Sequence, residues 1–227
     1  MHIGLVGGIG PAATDYYYRR IIAAAARRGF ALELTLVHAD SPILLDNLAR
    51  DDKAAQVAIF SRLAGRLAAA GAETVAITAI AGHFCIEDFK VVSPLPVIDL
   101  IEEVDRAFRG LGLGKVGVLG TRTVMETRFY GGIASAEVIP PGGSDLDAVH
   151  RAYVDMAAAG AVTEDQREVF LSASRRLIAE AGAEAILLGG TDLVLAFDGR
   201  EVGFEVVDCA GLHSDAIAER AALGSEC

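Results

Sequence analysis

The chain has 227 residues, of which 52% are hydrophobic and 22% are charged, and its formal net charge is −11. This hydrophobic content excludes a disordered chain and allows a large buried core. The acidic balance disfavours nucleic acid and membrane surfaces as partners, because both are anionic. No apolar run reaches the roughly 18 residues of a membrane helix, and no leader pattern precedes the first strand, which predicts a cytoplasmic protein.

The first half of the chain alternates short apolar runs with longer helical patterns, which is typical of a parallel α/β sheet. The apolar runs predict three buried strands, at Ile3–Val6, Leu32–Val37 and Thr74–Ala79. Helices are predicted between them at Ala12–Arg28 and Asp51–Ala70. Gly29 and Gly71 follow these helices directly and are suitable residues for ending them.

The second half repeats this scheme. Strands are predicted at Val116–Leu119, near Val138 and at Ala185–Leu188. The predicted helices lie at Arg122–Tyr130, Leu146–Ala159 and Glu164–Ala181. A last helix, Ala210–Leu223, follows the final strand and is placed to pack back on the first copy.

An internal duplication is the most informative feature of the sequence. Three pairs of segments match in the same order at offsets of 113, 111 and 109 residues: Ile3–Gly8 with Val116–Thr121, Ala70–Glu73 with Ala181–Glu184, and Leu95–Asp99 with Gly203–Asp208. A repeat this long indicates two copies of a domain rather than a solenoid. The sequence therefore predicts two doubly wound parallel-sheet lobes, residues 1–98 plus 209–227 and residues 99–208, with a cleft between them.

The polar residues at the carboxyl ends of the strands form the predicted site, because ligands of parallel α/β sheets bind there. Their ionisable members, His83, Asp192 and Cys209, are the candidate acid/base groups. The candidate substrate-binding residues supply hydroxyls or a glycine-rich turn: Gly8, Gly10, Thr78, Thr121, Thr123 and Thr191.

Several of these residues have a structural alternative. The turn Gly7–Gly10 lacks the spacing of a dinucleotide loop but can hold a carboxylate at a helix N-terminus. Thr121 and Thr123 can cap the following helix, whereas His83 and Cys209 can be buried core residues. The cysteine and histidine spacings predict no disulfide and no metal site.

Three motifs together resemble the aspartate/glutamate racemase family: Gly7–Tyr17, Leu119–Met125 and Gly189–Leu193. Asp208 with His213 is similar to the family's ending, and the resemblance runs from about residue 3 to about residue 220. It implies two four-stranded lobes related by a pseudo-twofold axis. It also implies racemisation of a small amino acid without a cofactor, often in a dimer.

The mechanism implied by the resemblance uses two thiols on opposite faces of the substrate, one removing the α-proton and one returning a proton. Ala79 stands where the family's Cys-Asn-Thr-Ala-His motif begins, and Gly190 stands at the cysteine of its Gly-Cys-Thr-Glu motif. The arginine that some relatives carry after the second strand is replaced by the apolar segment Pro42–Leu45. The fold is therefore expected to carry over, and two-thiol racemisation is not.

Three functions agree with this pattern. The first is an enzyme of the superfamily that acts without a cofactor on a small carboxylate or amino-acid-like substrate by altered acid/base chemistry. The second is a catalytically inactive homologue that binds a small molecule or has a regulatory role. The third is an amino-acid racemase that uses substitute residues. An Ala-rich surface helix can support a homodimer, but such helices also pack internally.

Overall fold

A computed structural model describes residues 1–197 and 201–223 of the chain, and two parallel four-stranded sheets dominate it. The strands of the first sheet are β1 (His2–Gly7), β2 (Glu33–His38), β3 (Thr74–Ile77) and β4 (Val97–Ile98), in the order β2-β1-β3-β4. The strands of the second are β5 (Lys115–Gly120), β6 (Glu137–Ile139), β7 (Ala185–Gly189) and β8 (Glu205–Asp208), in the order β6-β5-β7-β8. All strand pairs are parallel, which confirms the predicted α/β class.

Helices connect the strands. In chain order they are α1 (Pro11–Arg28), α2 (Ser41–Ala49), α3 (Lys53–Ala69), α4 (Ile86–Val92), α5 (Leu100–Leu111), α6 (Arg122–Glu126), α7 (Gly143–Ala159), α8 (Glu164–Ala179), α9 (Val194–Phe197) and α10 (Cys209–Leu223). Short 3-10 turns lie at Ile80–Cys85, Phe129–Gly131 and Thr191–Leu193. None of the helices in the described part of the chain is long and apolar enough to cross a membrane.

One predicted helix is shorter than expected. Arg122–Tyr130 was the predicted range, but α6 ends at Glu126. Arg128, Phe129 and Tyr130 have φ angles of 52°, 60° and 58°, so the chain enters the left-handed region, which a right-handed helix cannot continue through.

The duplication reappears in the strand pairing. Ile3 pairs with Thr74 in the first sheet, and Val116 pairs with Ala185 in the second, which reproduces the offsets of 113 (116 − 3) and 111 (185 − 74). On the outer strands, Val75 pairs with Val97 and Ile186 with Val206, which gives the offset of 109 (206 − 97). The repeat in the sequence is therefore a repeat of strand order and register.

The chain divides into two compact units: a first unit of Met1–Glu103 with Ala210–Cys227, and a second unit of Val104–Cys209. The first division lies five residues beyond the predicted 98/99 boundary. The beginning of α5 belongs to the first unit because the Leu100 amide donates to His83 and Lys90 pairs with Asp99. Cys227 lies outside the described residues.

The core of the first unit joins its sheet to its flanking helices. Ile3 of β1, Tyr17 of α1 and Ile217 of α10 belong to one cluster and are all fully buried. Burial of each such side chain contributes roughly 1.5–3 kcal/mol. The last helix therefore packs on the first copy, as the sequence indicated.

Candidate functional site

The glycine-rich turn after β1 is pressed against the segment that follows β2. Gly8 has φ +123°, and a Cβ atom there would lie 2.0 Å from the carbonyl oxygen of Ala39. The Ala39 amide donates to the Gly7 carbonyl at 2.8 Å, and the Ser41 hydroxyl donates to the Gly8 carbonyl. Only glycine satisfies both the conformation and the close approach at residue 8.

Two threonine hydroxyls hold this turn. The Thr14 hydroxyl oxygen accepts from the Gly8 amide at 3.3 Å and lies 3.1 Å from the hydroxyl oxygen of Thr78. The Thr14 hydroxyl donates to the Gly10 carbonyl at 3.2 Å, and the Thr78 hydroxyl lies 3.3 Å from the Val6 carbonyl oxygen. The structure thus brings Gly8, Gly10 and Thr78 together, and adds Thr14, which the sequence analysis missed.

The N-terminus of α1 follows directly. This helix has 18 residues, begins after Gly10, and has no acidic residue in its first turn. Among the described residues, no side chain caps it. The unsatisfied amides and the helix dipole therefore make this end of the first unit suitable for a carboxylate.

His83 lies in the interior of the first unit. Its side chain is fully buried, Nδ1 donates to the Ala79 carbonyl at 2.9 Å, and Nε2 accepts from the Leu100 amide at 3.4 Å. Burial lowers the pKa of His83, and the charge of Lys90 lowers it further, against the opposing effect of Asp99. Both ring nitrogens are engaged by the backbone, so this placement argues against the predicted catalytic role and for a structural one.

His213 is a second buried histidine beside the first. It accepts from the Tyr17 hydroxyl at Nδ1 (2.9 Å) and donates from Nε2 to the Ile98 carbonyl (2.8 Å). Its ring centroid lies 6.0 Å from that of His83. Burial and the proximity of His83 lower the pKa of His213 to about 3, so the imidazole stays neutral.

A charged cluster lies behind the two histidines. Lys90 Nζ is 3.1 Å from a carboxylate oxygen of the buried Asp99, and it also contacts Glu87 and Glu102 at 2.7 and 2.8 Å. Burial alone would raise the pKa of Asp99, but His83, Lys90 and the Ile101 amide hold it below its usual value. This cluster fixes the start of α5 and leaves Asp99 ionised.

In the second unit, the first of the two threonines after β5 acts as a helix-capping group. The Thr121 hydroxyl accepts from the Val124 amide at 3.4 Å and thereby caps α6. The Arg122 amide donates to Nδ1 of His150 at 3.1 Å, and Thr123 is exposed. Two amides at the start of this five-residue helix are therefore already satisfied, which weakens the predicted anion site there.

The end of β7 carries the most distinctive arrangement. A Cβ atom at Gly190 would lie 2.5–2.7 Å from three ring and hydroxyl atoms of Tyr153. The Tyr153 hydroxyl donates to a carboxylate oxygen of the half-buried Asp192 at 3.3 Å. The tyrosine of α7 thus fills the space beside residue 190 and contacts the nearest carboxylate.

The electrostatics of this pair keep the phenol protonated. Burial of the phenol group raises the pKa of Tyr153 well above its ordinary value, and Asp192, Cys209 and Tyr130 raise it further. Burial also raises the pKa of Asp192, and the hydrogen bond from Tyr153 opposes that shift. Tyr153 therefore keeps its proton and donates it to Asp192 in a hydrogen bond, whereas Asp192 can gain or lose a proton.

Two predicted site residues of the second unit, Asp192 and Cys209, act on Tyr153. Thr191 and Cys209 are buried, and Cys209 is close enough to influence the Tyr153 phenol. The sequence analysis missed Tyr153 and Tyr130, because nothing in their local pattern separates them from core aromatics. Across residues 1–197 and 201–223, no three His, Cys, Asp or Glu side chains are grouped as metal ligands.

The fold and the strand-end motifs define a racemase-like α/β protein, and comparison with known proteins gives the family. Residues 6–217 match the family model described as Asp/Glu/Hydantoin racemase, so the chain belongs to that family. This confirms the resemblance drawn from the three motifs.

Solved structures agree with this assignment. A crystal structure from Yersinia pestis, itself provisionally assigned as an Asp/Glu racemase, is 28% identical with a TM-score of 0.88, over 98% of this chain and 100% of that one. An aspartate racemase homologue from Pyrococcus horikoshii OT3 is 27% identical with a TM-score of 0.84, over 97% and 99%. Picrophilus torridus aspartate racemase, at 17% identity and a TM-score of 0.73 over 98% and 95%, shows the shared fold.

Proposed function

We propose that this protein is an enzyme that acts on a small carboxylate or amino-acid-like substrate by acid/base chemistry at Asp192, without a cofactor. The observation that carries the proposal is the half-buried Asp192 carboxyl at the end of β7, which accepts a hydrogen bond from Tyr153. Burial raises the pKa of Asp192 above its ordinary value, and a perturbed pKa of this kind is typical of carboxyl groups that exchange a proton in a reaction.

Two-thiol racemisation is not part of the proposal. Ala79 and Gly190, which match the family's cysteine positions, have no ionisable atom. Cys85 is buried, and burial together with Asp88 raises the pKa of its thiol to about 12, so it is not a thiolate at neutral pH. Cys209 is fully buried. Inversion needs a base on one face and an acid on the other, so a single group favours one-sided chemistry such as decarboxylation or elimination.

The first unit supports a carboxylate as the recognised group. The N-terminus of α1 and the turn Gly8–Gly10 offer amides and positive partial charge. The segment Ala79–Ala81 has no polar side chain, which favours a more apolar substrate than aspartate or glutamate. A cytoplasmic location and a homodimer belong to the same proposal, and light scattering after gel filtration measures the latter.

The test is incubation of the protein with small carboxylic and amino acids in deuterated water, followed by NMR and mass spectrometry. We expect turnover or one-sided deuteration of at least one compound, its loss in Asp192→Asn, and its retention in Asp155→Asn, which changes an exposed carboxylate of the same unit. Ligand binding without any exchange would contradict the proposal and favour an inactive binding homologue. Rapid α-deuteration of L-aspartate or L-glutamate with formation of the D-isomer would favour a racemase with substitute residues.

A further inference from the structure

We propose that Tyr153 is the positioning residue of this site: its ring occupies the space that a side chain at residue 190 would need, and its hydroxyl orients the Asp192 carboxyl. This inference rests on the proposed acid/base role of Asp192 and names the group that controls it.

The absence of a side chain at residue 190 has a steric and not a conformational cause. Gly190 has φ −174° and ψ 133°, an extended backbone that any residue can adopt. A Cβ atom there would lie 2.5 Å from Cε2, 2.6 Å from the hydroxyl oxygen and 2.7 Å from Cζ of Tyr153. Contacts this short cannot be accommodated without moving the ring. Gly190 and Tyr153 therefore form a matched pair in which a large residue on α7 fills the space beside a glycine that directly follows β7.

The helix and the turn beside this ring are themselves anchored in the core. Ala152 and Met156 of α7, one residue before and three residues after Tyr153, are buried, so the helix cannot easily shift. The groups that act electrostatically on the phenol are Asp192, Cys209 and Tyr130. Tyr130 belongs to the left-handed turn described above, and the neighbouring Phe129 is fully buried.

The chemistry of the pair gives Tyr153 a definite task. The phenol keeps its proton and donates a hydrogen bond to Asp192 at 3.3 Å, and because a hydrogen bond is stronger to a charged acceptor than to a neutral one, this bond stabilises the carboxylate over the carboxylic acid. Burial of Asp192 acts in the opposite direction. Tyr153 thereby keeps a partly desolvated Asp192 available as a base and holds its carboxyl plane in one orientation.

The first experiment reads Asp192 directly and needs no substrate. The carboxyl carbon of Asp192 is followed by NMR across the pH range in the wild type, in Tyr153→Phe and in the control Tyr18→Phe, which alters an exposed tyrosine of α1. We expect the midpoint of Asp192 to rise in Tyr153→Phe and to stay in place in Tyr18→Phe. An unchanged midpoint in Tyr153→Phe would overturn the inference, whatever the fate of the proposed enzyme activity.

The second experiment tests the matched pair with a double-mutant cycle. We expect Gly190→Ala to displace the ring and raise the Asp192 midpoint as Tyr153→Ala does. In the Tyr153→Ala background, Gly190→Ala should add no further change, because the clash is gone. If Gly190→Ala alone leaves the Asp192 titration as in the wild type, the steric argument is wrong.

Activity gives a third reading once a substrate is known. Tyr153→Phe should lower kcat by about tenfold, the order expected for loss of one hydrogen bond to a charged group, and should move the acidic limb of the pH–rate profile to higher pH. KM should change much less, because the hydroxyl acts through Asp192 rather than on the substrate. A raised KM with an unmoved pH profile would contradict a positioning role.

Discussion

Protonation of His213 should make the first unit sensitive to acid. The imidazole is fully buried, and its two nitrogens already hold the Tyr17 hydroxyl and the Ile98 carbonyl. Burial and His83 lower its pKa from 6.5 to about 3 in the folded protein. A histidine with a depressed folded pKa contributes stability above pH 6.5, and this contribution is lost as the pH falls towards 3.

The size of the effect follows from that difference in pKa. Between about pH 6 and pH 3.5 the unfolded chain binds one proton more than the folded one, so the free energy of unfolding falls by about 1.4 kcal/mol per pH unit. Over the full range the loss approaches about 5 kcal/mol, which is comparable to the whole stability of a small domain.

The perturbation that tests this is His213→Gln, whose amide can still donate to the Ile98 carbonyl but cannot become charged. The free energy of unfolding of this variant should be lower by about 2–4 kcal/mol at pH 7, because packing against Tyr17 and one hydrogen bond are lost. Its stability should then fall less steeply with acid than that of the wild type. The control, His38→Gln, removes an exposed histidine of the same unit.

Urea unfolding followed by far-UV circular dichroism at several pH values measures these slopes, since the chain has no tryptophan. The quantity that decides is the difference in slope between the wild type and His213→Gln, not the stability of either at pH 7. Parallel curves for these two proteins between pH 4 and pH 6.5 would refute the reasoning.

Three further predictions concern the strand-end residues. Gly8→Ala should destabilise the protein by about 2–4 kcal/mol in thermal unfolding, whereas Gly29→Ala, also at positive φ but with open space around it, should cost only about 1–2 kcal/mol. Asp192→Asn should raise the melting temperature at pH 7 but not below pH 4. The reason is that a carboxyl group whose pKa is raised in the folded protein stabilises the fold at low pH and loses that contribution as the pH rises through its pKa. An equal change in melting temperature at both pH values would contradict this. Thr121→Val should cost about 1 kcal/mol by removing the cap of α6, and Thr123→Val should stay within about 0.5 kcal/mol because that side chain is exposed; equal losses would contradict the capping role.

The fold could be predicted because the two halves of the sequence repeat the same pattern of strands and helices. The offsets between matched segments equal the offsets between the corresponding paired residues of the two sheets, so the alignment of the sequence with itself predicts that both sheets have the same strand order and register. The exception is the turn at Arg128–Tyr130, where three residues other than glycine adopt positive φ. No local preference predicts this, because burial of Phe129 offsets the cost.

The sequence could predict which polar residues lie at strand ends, whereas the location of the functional site and the role of each residue stay predictions. The glycine turn could be recognised because Gly8 has a φ angle of 123°, a backbone conformation that favours glycine over other residues. The sequence left His83 with two alternatives, because the hydrogen bond that favours the structural one comes from Leu100, a residue 17 positions away that is brought to it only by the folded chain. A catalytic histidine at a strand end and a buried structural histidine have the same sequence pattern, and only the hydrogen-bond partners of the two ring nitrogens distinguish them.

Tyr153 could not be predicted as a site residue for the same reason, since only the folded chain brings it to Asp192. Its position changes how Gly190 is interpreted. The resemblance implies that residue 190 stands at one of the family's cysteine positions, which by itself suggests a site without the family's usual chemistry. The structure shows that a ring from α7, 37 residues earlier in the chain, fills the space beside Gly190 and that its hydroxyl donates to Asp192. Under the proposed function, Asp192 and not residue 190 is therefore the residue at which the chemistry should be tested first.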